Sequence, residues 1–258
     1  MQASLIIPAY NEETRLPSTL EDYEETMRRR FGDDFEIIVV ANGSIDNTVG
    51  VATDTATSLP HIRVFEIEDP VGKGGAILEG FRQARGERIL FADADEATAP
   101  ESLLELFDEL DRHDIVIGSR RLDDSTITRP QPLLRRAFGL VFAKATRLLF
   151  GLPFEDTQCG AKAFRRPVAQ QLARVVDETH WAFDLDLLLW ARKQGFVVRE
   201  HPVVWTDKEG SQLKFGSTAY AVLRVLGAMK LREAGSRAAR AARRKGGFEQ
   251  ASEVKEVQ

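Results

Sequence analysis

Apolar residues in the first half of the chain fall in short unbroken runs. These alternate with longer stretches whose apolar positions recur three or four apart. The runs are Ala3–Pro8 (ASLIIP), Phe35–Ala41 (FEIIVVA), Arg88–Phe91 and Asp114–Gly118 (DIVIG), and Ile62–Ile67 adds a weakly alternating one. Short segments rich in Ile and Val, with no polar face, are what strands covered on both sides look like. Helical patterns follow the Pro8–Glu12 loop to about Arg30, the Asn42–Thr48 turn and the Gly72–Gly75 turn. A further one spans Pro100–Arg112, where leucines sit at helical spacing. Strand and helix alternating through brief connections predict an α/β fold, a mostly parallel sheet with helices on both faces.

After Arg120 the rhythm changes. Leu122–Gln131 is polar and predicts a mobile loop. Leu133–Leu152 (LLRRAFGLVFAKATRLLFGL) reads as a helix rich in Leu and Phe that carries Arg135, Arg136, Lys144 and Arg147. It is too short and too charged to span a bilayer, and fits either an interfacial helix or an ordinary helix packed on the sheet. Asp156–Gly160 precedes a short apolar stretch ending at Phe164. Trp181–Arg192 predicts a strongly apolar helix holding Asp184 and Asp186, and Phe196–Trp205 a strand bent at Pro202. A loop over Thr206–Gly216 and a last helix from Ser217 follow. The pattern predicts one domain over residues 1–234, with an elaborated C-terminal half, and a flexible, basic then polar tail over 235–258.

Composition narrows the function. With 258 residues and 43% hydrophobic content, a full core can form. A net charge of −5 speaks against nucleic acid as the partner. The lone Cys159 excludes an internal disulfide and a thiolate zinc cluster, and His61, His113, His180 and His201 lack metal-ligand spacing. Neither a leader nor a bilayer-length apolar stretch is evident, so the expected location is the cytoplasm or a cytoplasmic membrane face.

The candidate chemistry begins where Arg88–Phe91 runs into Ala92-Asp93-Ala94-Asp95-Glu96. At a strand end, residues i and i+2 point to the same side. Asp93 and Asp95 would then aim two carboxylates into the crevice where open α/β sheets collect ligands. Two hard oxygen donors so close invite Mg²⁺ or Mn²⁺ carrying a diphosphate. The plainer reading is a helix cap ahead of Pro100-Glu101. The turns Pro8–Glu12, Asn42–Thr48 and Gly72–Gly75 should meet at the same sheet edge, with helix N-termini suited to phosphate. Neither a mononucleotide P-loop nor a GxGxxG after the first strand is present.

Taken in order, PAYNE (8–12), VVANGSIDNT (39–48), GKGGA (72–76) and FADAD (91–95) resemble glycosyltransferase family 2, and the resemblance implies its GT-A fold. GSR (118–120), DTQCGAKAFR (156–165), WAFDLDLL (181–188) and GSQLK (210–214) are similar to the polyprenyl-phosphate sugar transferases, glucosyl- and mannosyltransferases of the dolichyl-phosphate type among them. The resemblance implies a donor half over 1–120 and an acceptor half over 121–234. Pro8, Tyr10, Asn11, Glu12, Asn42, Gly43 and Asp46 would surround the nucleoside of a UDP- or GDP-linked sugar. Lys73 and Gly74 would approach its phosphates, and Asp93, Ala94 and Asp95 would hold metal and diphosphate. Arg120, Arg135, Ser211 and Lys214 would meet the phosphate of a polyprenyl or dolichyl acceptor at a membrane surface. Asp156, Arg120 and Asp95 are the residues it puts in the chemistry. Two positions depart from the pattern. The usual acid after the second strand is replaced by Asn42, and the glutamine some mannosyltransferases carry two residues past the second aspartate is Ala97. A hydroxyl acceptor would instead require a base, Asp156 or Asp186. A nucleotidylyltransferase is disfavoured, because no glycine-rich, arginine-bearing loop follows the first strand. Of Asp184 and Asp186, two apart on a helix, only one is expected to face the site, with the other solvated or capping. Trp181, Trp190 and Cys159 read as packing residues.

Overall fold

The computed structural model describes residues 1–180, 182–208, 226–227 and 230–231. Trp181, Ser211 and Lys214 lie outside them, as do the helix expected from Ser217 and the basic 230–245 stretch, apart from residues 226–227 and 230–231, which are helical. The chain divides into two units, Met1–Ser211 and Gln212–Gln258. The architecture below is that of the first.

Strand and helix alternate as β1 (Ala3–Ala9), α1 (Leu16–Phe31), β2 (Phe35–Asn42), α2 (Thr48–Ser58), β3 (Ile62–Ile67), α3 (Gly72–Gln83), β4 (Arg88–Phe91), α4 (Pro100–Glu109) and β5 (Ile115–Ser119). Then come β6 (Thr126–Arg129), α5 (Leu133–Phe150), β7 (Lys162–Arg165), α6 (Arg166–Leu172), α7 (Phe183–Gln194), β8 (Val198–Pro202) and β9 (Val204–Thr206). Seven strands form one sheet in the order β3-β2-β1-β4-β7-β5-β8. All neighbours are parallel except β7, which runs antiparallel between β4 and β5.

The alternation of side chains along β1 divides the core. Leu5, Ile7 and Ala9 pack with Leu16, Leu20, Tyr23 and Met27 of α1 and Phe107 of α4. Ile6 points to the other face, so close to α3 that a Cβ on Gly80 would lie 2.4 Å from its Cγ2. Strand order leaves β1 toward β2 and β3 on one side and toward β4 on the other. The crevice of an open sheet lies at such a switch point, here outside the ends of β1 and β4. Pro8 is accommodated because β4 pairs with β1 only as far as Ile6, so one side of the ladder is open there.

Two expectations are corrected by pairing over long distances. Within the polar 122–131 stretch, Thr126–Arg129 is a strand, fully exposed yet paired in parallel with β9. Its order comes from backbone bonds to a segment more than seventy residues away, which no local pattern encodes. The single bent strand over Phe196–Trp205 is two strands, broken after Pro202, with β8 in the large sheet and β9 in the small one. Helix α5 divides its residues: Phe142, Ala143, Thr146 and Phe150 are buried, while Leu133, Leu140, Val141 and Leu148 are more than half exposed. Among the described residues no helix is long and apolar enough to cross a membrane.

Candidate active site

The loops after β1 and β2 are laced together by side chains. Asn11 Oδ1 accepts the Ile45 N–H at 2.9 Å, Ser44 Oγ accepts that of Asn11, and Thr48 Oγ1 accepts that of Glu12 at 2.8 Å. Asp46 accepts the N–H groups of Thr48 and Glu13. Asn11 itself is left-handed (φ 56°), a conformation asparagine tolerates better than most residues. Glu12 is paired with Arg15, and Tyr10 is half exposed beside it. Asn42 Oδ1 accepts the Val71 N–H at 2.8 Å and so ties β2 to the turn before α3. Gly43 (φ 65°) passes that turn so closely that a Cβ would lie 2.8 Å from the Pro70 backbone.

The Gly72–Gly75 turn works differently from a phosphate cradle. The Gly74 N–H donates to the Thr179 carbonyl (2.8 Å), and a Cβ on Gly74 would lie 2.4 Å from the Phe183 ring. A Cβ on Gly72 would strike His180 and the Thr179 carbonyl. These glycines let the segment before α7 close over the start of α3. What reaches the crevice is Lys73, whose Nζ lies 2.5 Å from Asp93 Oδ1. Partial burial lowers its pKa, but the charges of Asp93 and Asp184 more than offset that and raise it.

The aspartate pair sits on a tight turn after β4. Asp95 Oδ1 accepts the Ala97 N–H (3.0 Å). Thr19 of α1 bonds the Ala94 carbonyl and Tyr23 bonds that of Asp93. Glu96 adopts φ 53°, a left-handed conformation that costs a side-chain-bearing residue about 1–2 kcal/mol. Burial and the neighbouring Asp93 charge raise the pKa of Asp95. Two carboxylates therefore share one lysine, an excess of negative charge that suits a divalent cation. Among the described residues no cluster of three or more His, Cys, Asp or Glu gathers. A cation here would draw two ligands from the protein and the rest from diphosphate and water, the habit of Mg²⁺-type sites.

On the far side, Asp156 is buried and locked. It receives Arg120 Nε at 2.6 Å and Nη2 at 2.9 Å, together with the backbone N–H groups of Arg120 and Gln158. Burial raises its pKa, but the Arg120 charge and hydrogen bonds more than reverse this and hold it well below the usual carboxylate range. The Arg120 guanidinium also lies 5.3 Å from the centre of the Trp205 ring. Arg135, on α5, pairs with Asp207 at 3.4 Å. The Asp156–Gly160 loop closes onto the aspartates: a Cβ on Gly160 would lie 1.9 Å from Asp93 Oδ2.

Asp184 and Asp186 are both buried, so neither is the solvated one that the sequence allowed. Asp184 pairs with Lys162 at 2.5 Å, and Asp186 accepts the N–H groups of Asp177 and Glu178. Cys159 is fully buried and Trp190 half-buried. Thr19, Tyr23 and Glu200, which accepts the Glu155 and Asp156 N–H groups, carry no signal in the sequence as site residues, and Lys162 shows only as part of the 156–165 motif.

A family model described as glycosyl transferase family 2 matches residues 4–173. The chain belongs to glycosyl transferase family 2. Several members of known name are similar to it. The dolichyl-phosphate beta-glucosyltransferase of Drosophila melanogaster is 37% identical over 83% of this chain and 69% of its own. That of Dictyostelium discoideum is 34% identical over 81% and 68%. Glycosyltransferase AglD of Haloferax volcanii is 35% identical over 81% of this chain, which spans only 34% of that protein's length. Among solved structures, glucosyl-3-phosphoglycerate synthase of Mycobacterium tuberculosis, crystallised with Mn²⁺, UDP and phosphoglyceric acid, superposes with a TM-score of 0.65. The match covers 90% of this chain and 78% of that one, at 18% identity, a likeness of fold alone. The family's GT-A architecture is the one the sequence implied.

Proposed function

We propose that this family 2 enzyme is an inverting transferase that moves a hexose from a nucleotide diphosphate sugar to a polyprenyl phosphate of the dolichyl type. The observation that carries the reading is that three buried carboxylates of the acceptor half are already committed to partners. Asp156 is held by Arg120, Asp184 by Lys162, and Asp186 by backbone N–H groups. A hydroxyl acceptor needs a base to remove its proton. A phosphate monoester, with a second pKa near ~6, arrives largely as the dianion and needs none. The similarity to two dolichyl-phosphate beta-glucosyltransferases at 34–37% identity points the same way.

In this reading Asp93 and Asp95 hold Mg²⁺ or Mn²⁺, which when bound neutralises charge on the leaving diphosphate. Tyr10, Asn11, Glu12, Asn42, Gly43 and Asp46 frame the nucleoside, and Lys73 stands at the phosphates. Arg120, oriented by Asp156, and Arg135 receive the acceptor phosphate. One of its oxygens attacks the anomeric carbon from the face opposite the diphosphate. The new bond forms as the bond to diphosphate breaks, so the configuration inverts. Helix α5 docks on the membrane that carries the acceptor. It has no acidic residue, and its exposed apolar side chains alternate with Arg136 and Lys144. The expected setting is a peripheral position on the cytoplasmic face.

Incubation with radiolabelled UDP- and GDP-sugars, with and without polyprenyl phosphate, tests the reading. Label should pass to the lipid phase only when polyprenyl phosphate is present. Transfer to soluble glycans in its absence would replace it with a hydroxyl-acceptor enzyme.

A further inference from the structure

Lys162 is fully buried in the middle of the sheet, a costly place for an ammonium group. It lies on β7, opposite Phe91 of β4 on one side and Ile117 of β5 on the other. Its Nζ donates to Asp184 Oδ1 (2.5 Å) and to the Cys159 carbonyl (2.6 Å), and lies 5.5 Å from the centre of the Phe91 ring.

Each of these contacts belongs to a segment that carries site residues. Phe91 is two residues before Asp93. The Cys159 carbonyl belongs to the loop that anchors Asp156 at one end and brings Gly160 against Asp93 at the other. Asp184 opens α7 next to Phe183, which fills the space over Gly74, and its charge acts on Lys73. Stability alone does not account for such a group. A buried ion pair is commonly no more stabilising than apolar side chains of the same bulk, whereas its geometry is far more specific.

We propose that Lys162 is a positioning residue whose paired ammonium fixes the 156–160 loop and the first turn of α7 around Asp93 and Lys73, and so shapes the diphosphate pocket. The inference rests on the nucleotide-sugar reading given above. It assigns a task to a residue that touches neither donor nor acceptor.

The pair is removed together, as Lys162→Met/Asp184→Asn, so that neither charge is left buried alone. Two quantities are read: the thermal midpoint of the free protein, and the affinity for UDP or GDP in the presence of Mn²⁺ by calorimetric titration. The double variant should unfold within a few degrees of the wild type, yet bind the preferred nucleotide at least tenfold more weakly. In the transfer assay, the donor KM should rise while the KM for polyprenyl phosphate stays put. A double variant that fails to fold would make the pair a structural element and overturn the proposal. So would a folded variant that binds as tightly as the wild type. A wild type that binds neither nucleotide would remove the nucleotide reading itself, and this inference with it.

Discussion

At the scale of single residues, the crevice depends on how tightly the 156–160 loop presses on the aspartate turn. Gly160→Ala should be tolerated by the fold, because the atoms nearest its Cβ would be those of the Asp93 carboxylate, the end of a side chain and not backbone. That carboxylate would have to swing aside. The expected result is a thermal midpoint near that of the wild type with transfer reduced tenfold or more. Normal turnover would mean that Asp93 is not held where the chemistry needs it. Asp93→Ala should abolish transfer with the fold retained, EDTA should do the same to the wild type, and added Mn²⁺ or Mg²⁺ should reverse the EDTA effect. Full activity in EDTA would exclude the metal assignment.

Asp156→Asn addresses the other wall. Removing one partner of a buried pair costs about 3–5 kcal/mol. Since the folded pKa lies below the unfolded value, the stabilisation is fully present above that unfolded value. It fades as pH falls through and below roughly 4, toward the depressed folded value. Denaturant titrations of both proteins should therefore differ most near pH 7 and converge in acid. A gap that stays constant with pH would show that the ion pair is not its source.

At the scale of elements, α5 is the part whose pattern admitted two answers, and the structure buries one part of its surface and leaves another exposed. Phe142 and Phe150, which looked suited to a membrane interface, are consumed by packing, while Leu140 and Leu148 are not. The two exposed leucines lie eight residues apart, about 80° around the helix, within the width of one apolar stripe. Leu140→Glu/Leu148→Glu should leave the thermal midpoint almost unchanged, because neither side chain lies in the core. Cosedimentation with anionic liposomes, and transfer to acceptor presented in them, should both fall severalfold. Retained binding would move the docking surface elsewhere. Helix periodicity marked α5 as amphipathic, but which neighbour covers which side depends on elements distant in sequence. The same limit hid β6, which is held by its ladder with β9 and by Thr128 bonds to Trp205 and Thr206.

At the scale of the whole molecule, the proposed lipid acceptor would bring a chain of net charge −5 to an anionic surface. The sequence from Lys230 to Lys245 concentrates seven basic residues against one acidic residue, and α5 adds cations without acids. Each cation near such a surface contributes about 1 kcal/mol, screened as salt rises. Liposome binding should therefore weaken from low to high salt, and weaken further when the chain ends after Leu231. A protein that stays in the supernatant at low salt would mean that the acceptor is reached without docking.

What the sequence determined by itself is whatever rests on local periodicity and on ordered motifs. The strands of the first half, the helices between them and the aspartates at the end of β4 are of this kind, because buried strands and amphipathic helices print their environment on consecutive residues. What only the tertiary structure decided is which charges meet. Whether Asp156 is a free base or a held one depends on Arg120, thirty-six residues earlier in the chain. The glycines before α3 read as a phosphate turn, yet they make room for Thr179, His180 and Phe183 about a hundred residues later. Lys162 stands in a strand one residue from Ala163, in a place where any apolar residue would have fitted the pattern. Its role exists only because folding encloses an ammonium, a carboxylate and a carbonyl in the same dry space, where each must find its partner.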